Sequence, residues 1–240
     1  MPKITVSVQR RASDDDARSF ESHEVELSDK ASVLDALFAL QRGPCPDLAF
    51  RFSCRVGMCG SCAMTVNGRA RWTCRTHVDK VAQGGRLEIA PLANLPVVRD
   101  LVTDMVPFFD KWAKARGRFE GGKTRRDDFE RVPPSSPERR LADAGIECIG
   151  CGVCYSSCDV VAWNPDYLGP AALNRAWTLV NDVRDTGNRA RLGAVAGDAG
   201  CHACHTHMSC TERCPKQISP TASIAGLKRA AMEAALKGEI

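Results

Sequence analysis

Eleven of the thirteen cysteines in this 240-residue chain fall into two closely spaced groups, and their spacing limits the possible folds more than any other feature. The first group is Cys54-x4-Cys59-x2-Cys62, followed by Cys74. The second group begins Cys148-x2-Cys151-x2-Cys154-x3-Cys158 and is completed by Cys204, Cys210 and Cys214. The N-terminal residues Met1–Ile4 lack the apolar core of a signal peptide, so we expect a reducing compartment. An odd number of cysteines in that setting favours metal ligands over disulfides.

The first group predicts a [2Fe–2S] cluster. The spacing C-x4-C-x2-C with a later fourth cysteine is typical of plant-type ferredoxins. Gly57 and Gly60 suit such a loop, because glycine adopts unusual φ angles and lets backbone N–H groups approach the sulfurs. A zinc knuckle is the alternative, but structural zinc sites normally use paired cysteines or a cysteine–histidine pattern.

The second group predicts two more clusters, because C-x2-C-x2-C-x3-C is typical of two-cluster bacterial ferredoxins, in which the fourth cysteine binds the other cluster. A [4Fe–4S] cluster would take four ligands: Cys148, Cys151, Cys154 and Cys214. Cys158 would join Cys204 and Cys210 at the other site. His207 stands where a regular ferredoxin has its further cysteine, and three thiolates without a fourth indicate a [3Fe–4S] centre.

The fold class expected is α+β, with a β-grasp ferredoxin domain over 1–103 and an all-α domain of the two-cluster ferredoxin type over 104–240. Alternation predicts strands around Ile4–Val8, Val25–Leu27 and Arg86–Ala90, and Asn67-Gly68 predicts a hairpin between Ala63–Val66 and Arg69–Trp72. Ser32 followed by Asp35 predicts a capped helix.

Helical patterns are expected beyond this sheet. Val97–Phe109, Ala171–Val183 and Ile224–Leu236 show apolar residues at helical intervals, and residues 121–137 are typical of an exposed connection. No stretch of 18 uncharged apolar residues occurs, so we expect no membrane span. With a net charge of +4 and no basic stripe interleaved with aromatic residues, the chain gives no indication of nucleic-acid binding.

The order of these motifs resembles the iron–sulfur subunit of succinate dehydrogenase and fumarate reductase over nearly the whole chain. The segments that carry the resemblance are Arg51–Cys62, Cys148–Cys158, Asn164–Ala171 and Cys204–Lys216. The resemblance implies one-electron transfer between the FAD of a flavoprotein subunit, which interconverts succinate and fumarate, and a membrane quinone. It also implies membrane-anchor subunits, haem as a further group on the partners, and a peripheral place on the cytoplasmic face of the inner membrane.

The resemblance also bears on residues near the quinone end. Trp163 matches a family position close to the quinone, and His205 follows a [3Fe–4S] ligand as in many members. His207, Asp159 and Ala162 depart from the family pattern, which has an apolar residue, a proline and often a tryptophan at these positions. We expect His207 to lie close to the [3Fe–4S] cluster without binding iron, where a neutral imidazole could take part in proton delivery.

Two other functions stay open at this stage. The chain could serve a soluble flavoprotein oxidoreductase that acts on another acid or thiol, or it could be a zinc-stabilised interaction module. Neither a phosphate loop nor a Rossmann glycine pattern occurs, so flavin and substrate chemistry belong to another subunit. Cys45 and Cys201 are expected to be ordinary thiols, although Cys201 could substitute as a ligand. Trp177 is expected in the core, and no role is assigned to His23 or His77.

Overall fold

The computed structural model describes residues 3–240, and these residues form two units. Unit 1 contains the described residues up to Met105 together with Ile149–Ser157, and unit 2 contains Val106–Cys148 and Cys158–Ile240. Met1 and Pro2 lie outside the described residues. They belong to the predicted first domain and to the N-terminal segment for which no export signal was expected. The division into 1–103 and 104–240 stays a prediction.

Unit 1 is built on a mixed five-stranded sheet. Its strands are β1 (Lys3–Arg10), β2 (Ser19–Glu26), β3 (Ala63–Val66), β4 (Arg69–Trp72) and β5 (Arg86–Ala90). The strand order is β2-β1-β5-β3-β4, with β1 and β5 parallel and the other pairs antiparallel. The predicted strands and the β-grasp layout are therefore confirmed.

Helix α1 (Val33–Arg42) covers the apolar face of this sheet. The capping box predicted at its start is present, because Ser32 Oγ accepts from Asp35 N and the Asp35 carboxylate accepts from Ser32 N. Its buried side chains pack with Val6, Val8 and Ile89 in one core. The chain then forms the long loop that carries the first cysteines, and a short helix α2 (Val78–Val81) leads into β5.

The prediction of a helix over Val97–Phe109 was wrong for most of its length. Val97–Arg99 (β6) and Val102–Thr103 (β7) form a two-stranded ribbon, and helix α3 (Val106–Lys114) begins only afterwards. The reason is the buried turn residue Asp100, which has a φ of +47°. Its carboxylate accepts hydrogen bonds from Arg11 N and Ala49 N, which are far away in sequence. These contacts hold the segment extended against the sheet unit.

Apart from α5 (Val153–Ser156), which belongs to unit 1, the remaining helices lie in unit 2. They are α4 (Pro137–Ile146), α6 (Asp159–Trp163), α7 (Gly169–Val180), α8 (Asn188–Val195), α9 (Ser209–Glu212) and α10 (Pro220–Leu236). The helices expected near 171–183 and 224–236 are confirmed as α7 and α10, which begin two and four residues before the predicted starts. The exposed connection is confirmed too, and Ser136 caps the start of α4. No helix among residues 3–240 has the length and apolar character needed to span a bilayer.

Helix α7 forms the centre of unit 2 and is buried on most of its surface. It packs against α3, α4, α8 and α10. Close approach to α10 depends on Gly226, since a Cβ there would lie 2.5 Å from the Trp177 ring. Trp177 is half-buried at this contact, and its Nε1–H donates to Leu141 O.

Candidate metal centres

The loop and hairpin of unit 1 bring the first cysteine group together. Cys54 and Cys59 lie on the loop, and Cys62 directly precedes β3, whereas Cys74 lies in a 3-10 turn (Thr73–Arg75) after β4. Thr73 fastens the two ends of the hairpin, because its N–H and Oγ1–H donate to Cys62 O at 3.1 and 2.9 Å. The hairpin thereby places Cys62 next to Cys74.

Backbone N–H groups surround the Cys54 sulfur. Val56, Met58 and Cys59 N–H donate to Cys54 Sγ at 3.5, 3.3 and 3.3 Å. These hydrogen bonds, led by the one from Val56, lower the pKa of the Cys54 thiol to about 6. The loop therefore stabilises negative charge on sulfur, as a thiolate ligand of iron requires.

The same loop depends on left-handed backbone conformations. Arg55, Gly57 and Gly60 have φ angles of +56°, +75° and +73°, which confirms the expected use of glycine there. Cys74 differs from Cys54, because burial, with the neighbouring Cys62, raises the pKa of its thiol to about 11. Four thiols from one loop and one hairpin, with donors at the sulfur, fit a [2Fe–2S] cluster.

The predicted [4Fe–4S] ligands divide between the two units. Cys151 and Cys154 belong to unit 1, where the first packs against Gly60 and the second lies in α5. Cys148 and Cys214 belong to unit 2. That these four residues share one cluster stays a prediction.

The third cysteine set surrounds a cavity within unit 2. Cys158 precedes α6, Cys204 follows a 3-10 turn, and Cys210 lies in α9. All three line a space of about 340 Å³ that is partly open to solvent. Tyr167, Thr221 and Ile224 complete its inner wall. The fold of unit 2 therefore brings Cys158 together with Cys204 and Cys210, which are distant from it in sequence.

Burial distinguishes this cavity from the Cys54 loop. Burial raises the pKa of the Cys158 and Cys210 thiols. It also raises the pKa of the hydroxyl of Tyr167, a residue that is 1% exposed. Uncompensated thiolates are costly in such surroundings, whereas iron would supply the missing positive charge. Three convergent thiols at one cavity suit the ligation of a compact iron–sulfur cluster.

The residues predicted near the quinone end lie together at the mouth of this cavity. His205 and His207 line it, and the Trp163 ring lies 6.5 and 5.9 Å from their ring centroids. His207 Nδ1 lies 3.9 Å from an Asp159 carboxylate oxygen. Trp163 is 60% exposed, so this aromatic group faces outward from unit 2.

The residues of the cavity wall and the lysine that binds the Cys204 carbonyl were not identified from the sequence. Lys228 Nζ donates to Cys204 O at 2.8 Å, and Thr221 Oγ1 lies 3.4 Å from Cys210 Sγ. Neither residue belongs to a cysteine motif, so spacing alone could not find them. Tyr167 does lie in Asn164–Ala171, a segment that carries the family resemblance, and this position could have indicated that it belongs to the site.

Cys45 and Cys201 are both buried, and their expected role as ordinary thiols stays a prediction.

Comparison with protein-family models identifies both cysteine regions. Residues 3–110 match a model described as a 2Fe-2S iron-sulfur cluster binding domain. Residues 147–219 match a 4Fe-4S dicluster domain. The two models therefore support the α+β fold with an N-terminal [2Fe–2S] domain and a helical domain for two clusters.

Curated relatives align with this chain along most of their length. The chain is 35% identical over 214 residues to succinate dehydrogenase [ubiquinone] iron-sulfur subunit 1, mitochondrial, of Oryza sativa subsp. japonica, covering 88% of this chain and 75% of the relative. It is 38% identical over 197 residues to the succinate dehydrogenase iron-sulfur subunit of Paracoccus denitrificans, covering 82% and 74%. It is 34% identical over 203 residues to the fumarate reductase iron-sulfur subunit of Escherichia coli O6:H1, covering 84% and 82%.

A solved structure agrees with these relatives. A chain of the Mycobacterium smegmatis Sdh1 complex in the apo form superposes with a TM-score of 0.83 and 28% identity, covering 96% of both chains. The similarity therefore extends across both units.

Proposed function

Because this chain belongs to the family of iron–sulfur electron-transfer subunits of succinate dehydrogenase and fumarate reductase, we propose that it carries single electrons between the FAD of a flavoprotein subunit and a membrane quinone. The observation that carries this proposal is the presence of separate thiol sets at a hairpin loop and at a helical cavity, with a further cysteine run between them in sequence. Several iron–sulfur clusters in one chain suit a carrier of single electrons.

The ligands follow from the cysteine groups. The [2Fe–2S] cluster would be held by Cys54, Cys59, Cys62 and Cys74. The [4Fe–4S] cluster would be held by Cys148, Cys151, Cys154 and Cys214. The [3Fe–4S] cluster would be held by Cys158, Cys204 and Cys210, because within residues 3–240 the cavity has no fourth cysteine in its lining and presents His207 instead.

Each cluster supplies a reversible one-electron acceptor, and the protein sets its environment. At the first site, three N–H donors oriented by left-handed loop residues offset charge on the Cys54 sulfur. At the third site, Tyr167 and Ile224 exclude water from the inner side, and Lys228 fixes the Cys204 carbonyl. The two sites thus tune their clusters by different means, hydrogen bonding in one and burial in the other.

The exposed group of Trp163, His205 and His207 would lie near the quinone. An exposed aromatic ring beside two imidazoles supplies an apolar surface together with hydrogen-bonding groups, which suits a quinone headgroup. This end would contact membrane-anchor subunits, and the chain would be a peripheral subunit on the cytoplasmic face of the inner membrane. Haem, where the complex has it, would belong to those partners.

The test is EPR spectroscopy with iron and sulfide analysis of the purified complex. We expect one [2Fe–2S], one [4Fe–4S] and one [3Fe–4S] centre, and succinate–quinone turnover only when the flavoprotein subunit is present. Cys210→Ser should remove the three-iron signal, whereas Cys201→Ser, a change at a buried cysteine nearby in sequence, should keep it. Zinc without iron, or loss of the signal in Cys201→Ser alone, would contradict the proposal.

A further inference from the structure

Three potential metal ligands lie together in unit 1, and none of them is assigned to an iron–sulfur cluster. They are Glu21 and His23 on the edge strand β2, and Cys45 shortly after α1. Their ligand atoms all lie within 4.8 Å of one another. Cys45 is 1% exposed, His23 is partly buried, and Glu21 reaches the surface.

Strand register explains why these side chains converge. Glu21 pairs with Val8 and His23 with Val6, and opposed residues of antiparallel strands share one face of the sheet. Val6 and Val8 are fully buried on the face covered by α1, so Glu21 and His23 point to that face. The turn after α1 brings Cys45 to the same place, where its N–H donates to Leu40 O.

The distances are close to those of a tetrahedral zinc site. His23 Nε2 lies 3.7 Å and Cys45 Sγ lies 3.9 Å from the same Glu21 carboxylate oxygen. With Zn–S of about 2.3 Å and Zn–N and Zn–O of about 2.0 Å, tetrahedral ligands lie about 3.3–3.5 Å apart, so these two pairs need to close by about 0.4 Å. The ligand atoms of the third pair, His23 and Cys45, lie within 4.8 Å of each other. His23 Nε2 is shielded from solvent and has no hydrogen-bond partner among the described residues, which is an unusual condition for a buried ring nitrogen.

Charge around the cluster also favours a dication. Arg10 contacts Glu21, Asp47 and Asp100, and Arg99 contacts the last two, so two guanidinium groups face three carboxylates. These groups leave one carboxylate charge without a cation, and a Cys45 thiolate would add a second negative charge. Zn²⁺ would balance both charges. Arg10 Nη1 donates to Glu21 at 3.2 Å, in the manner of the outer hydrogen bonds that orient carboxylate ligands.

We propose that Glu21, His23 and Cys45 form an accessory zinc site that connects the edge strand β2 to the turn after α1. For Cys45, this proposal replaces the expectation of an ordinary thiol. A mixed set of one thiolate, one imidazole and one carboxylate, with a fourth position for water, is suited to Zn²⁺. Binding would displace the thiol proton of Cys45, since zinc ligands bind in the deprotonated form. The site is separate from the iron ligands and does not depend on the function proposed above.

The competing explanation is protective. Inward-pointing charged residues on an edge strand prevent pairing with another chain, and Glu21 and His23 could serve that purpose without metal. The experiment therefore needs variants that separate metal binding from edge protection. Glu24→Gln is the control for a change on β2 outside the proposed site, because Glu24 lies on the same strand as Glu21 and His23, pairs with Thr5 and is exposed.

The test is zinc binding to the complex with its iron–sulfur clusters intact. The complex is purified anaerobically, its iron content is verified, and it is dialysed against Zn²⁺ for wild type, His23→Gln, Cys45→Ala and Glu24→Gln. We expect about one zinc in wild type and Glu24→Gln, and at least about a tenfold loss of affinity in the other two. His23→Gln keeps a partly exposed position and should fold even where Cys45→Ala does not.

X-ray absorption at the zinc edge identifies the ligands without interference from iron. Wild type should show one sulfur at about 2.3 Å and otherwise nitrogen or oxygen neighbours. Four sulfur neighbours would show that zinc binds to one of the cysteine groups assigned to iron, which would overturn the proposal. Lack of zinc uptake by wild type, or equal uptake by all four proteins, would overturn it as well.

Discussion

Replacing Gly60 by alanine tests the contact between the first cysteine loop and the segment that carries Cys151. Both belong to unit 1. A Cβ on Gly60 would lie 2.5 Å from Cys151 Cβ and 2.9 Å from Cys151 Cα. Backbone and Cβ atoms cannot rotate away as a side-chain end can, so one of the two segments must move.

The variant Gly68→Ala separates the cost of overpacking from the cost of the left-handed backbone conformation. Gly60 and Gly68 have φ angles of +73° and +71°, but a Cβ on Gly68 would meet no atom within 4 Å. Both variants therefore carry the left-handed penalty of about 1–2 kcal/mol. Only Gly60→Ala adds overpacking, which costs about 1–3 kcal/mol. In a chain of this size the added term lowers the melting temperature by about 2–12 °C.

The assay compares melting temperatures of the two variants with wild type, in the complex with its clusters present. The melting temperature of Gly60→Ala should lie about 2–12 °C below that of Gly68→Ala. It should also alter the EPR spectrum of the [2Fe–2S] or [4Fe–4S] cluster, because Gly60 lies between Cys59 and Cys62 and touches Cys151. Equal melting temperatures and unchanged spectra in both variants would refute the close packing of Gly60 on Cys151.

Other predictions concern unit 2. Arg191→Met should destabilise the protein by about 3–5 kcal/mol, because it leaves the fully buried Asp185 carboxylate without its cation. Arg184→Met, at the more exposed pair with Asp182, should cost less than about 1 kcal/mol, and equal melting temperatures for the two variants would contradict the argument. His207→Ala should keep the three-iron EPR signal of the oxidised complex while slowing quinone turnover. A signal that appears only in the variant would instead identify His207 as an iron ligand.

Local patterns were enough to predict the sheet of unit 1. The alternation around Ile4–Val8, the Asn67-Gly68 turn and the Ser32–Asp35 capping box each depend on residues that are close together in sequence. Such patterns predict structure well because the residues that determine it are neighbours in the chain. The exposed connection before α4 was predicted for the same reason, from its prolines, serines and charges.

The ribbon formed by β6 and β7 could not be predicted in this way. Its apolar residues suit a helix by spacing alone, and the deciding contacts come from Arg11 and Ala49, which donate to the Asp100 carboxylate. A buried carboxylate with two backbone donors and an Arg10 ion pair outweighs a local helical preference. Long-range partners of a single polar residue leave no periodic signal in the sequence.

Cysteine spacing likewise predicted the candidate ligands but not their surroundings. The cavity at Cys158, Cys204 and Cys210 is shaped by Tyr167, which precedes α7, and by Thr221 and Ile224 of α10. The spacing of a motif reflects which ligands one loop can offer, whereas burial depends on helices packed from elsewhere in the chain. This is why the contrast between the hydrogen-bonded Cys54 sulfur and the buried Cys158 and Cys210 sulfurs emerges only from the structure.

Two of the departures from the family pattern, Asp159 and His207, lie next to each other. His207 Nδ1 lies 3.9 Å from the Asp159 carboxylate, and their side chains are 45% and 61% exposed. A pair this exposed contributes at most about 1 kcal/mol to stability, so its consequence is the orientation of the imidazole beside Trp163 and the cavity. If orientation by Asp159 matters for turnover, Asp159→Asn and His207→Ala should each slow the complex, and the double variant should be no slower than His207→Ala alone. Additive losses in that cycle would show that the two residues act independently.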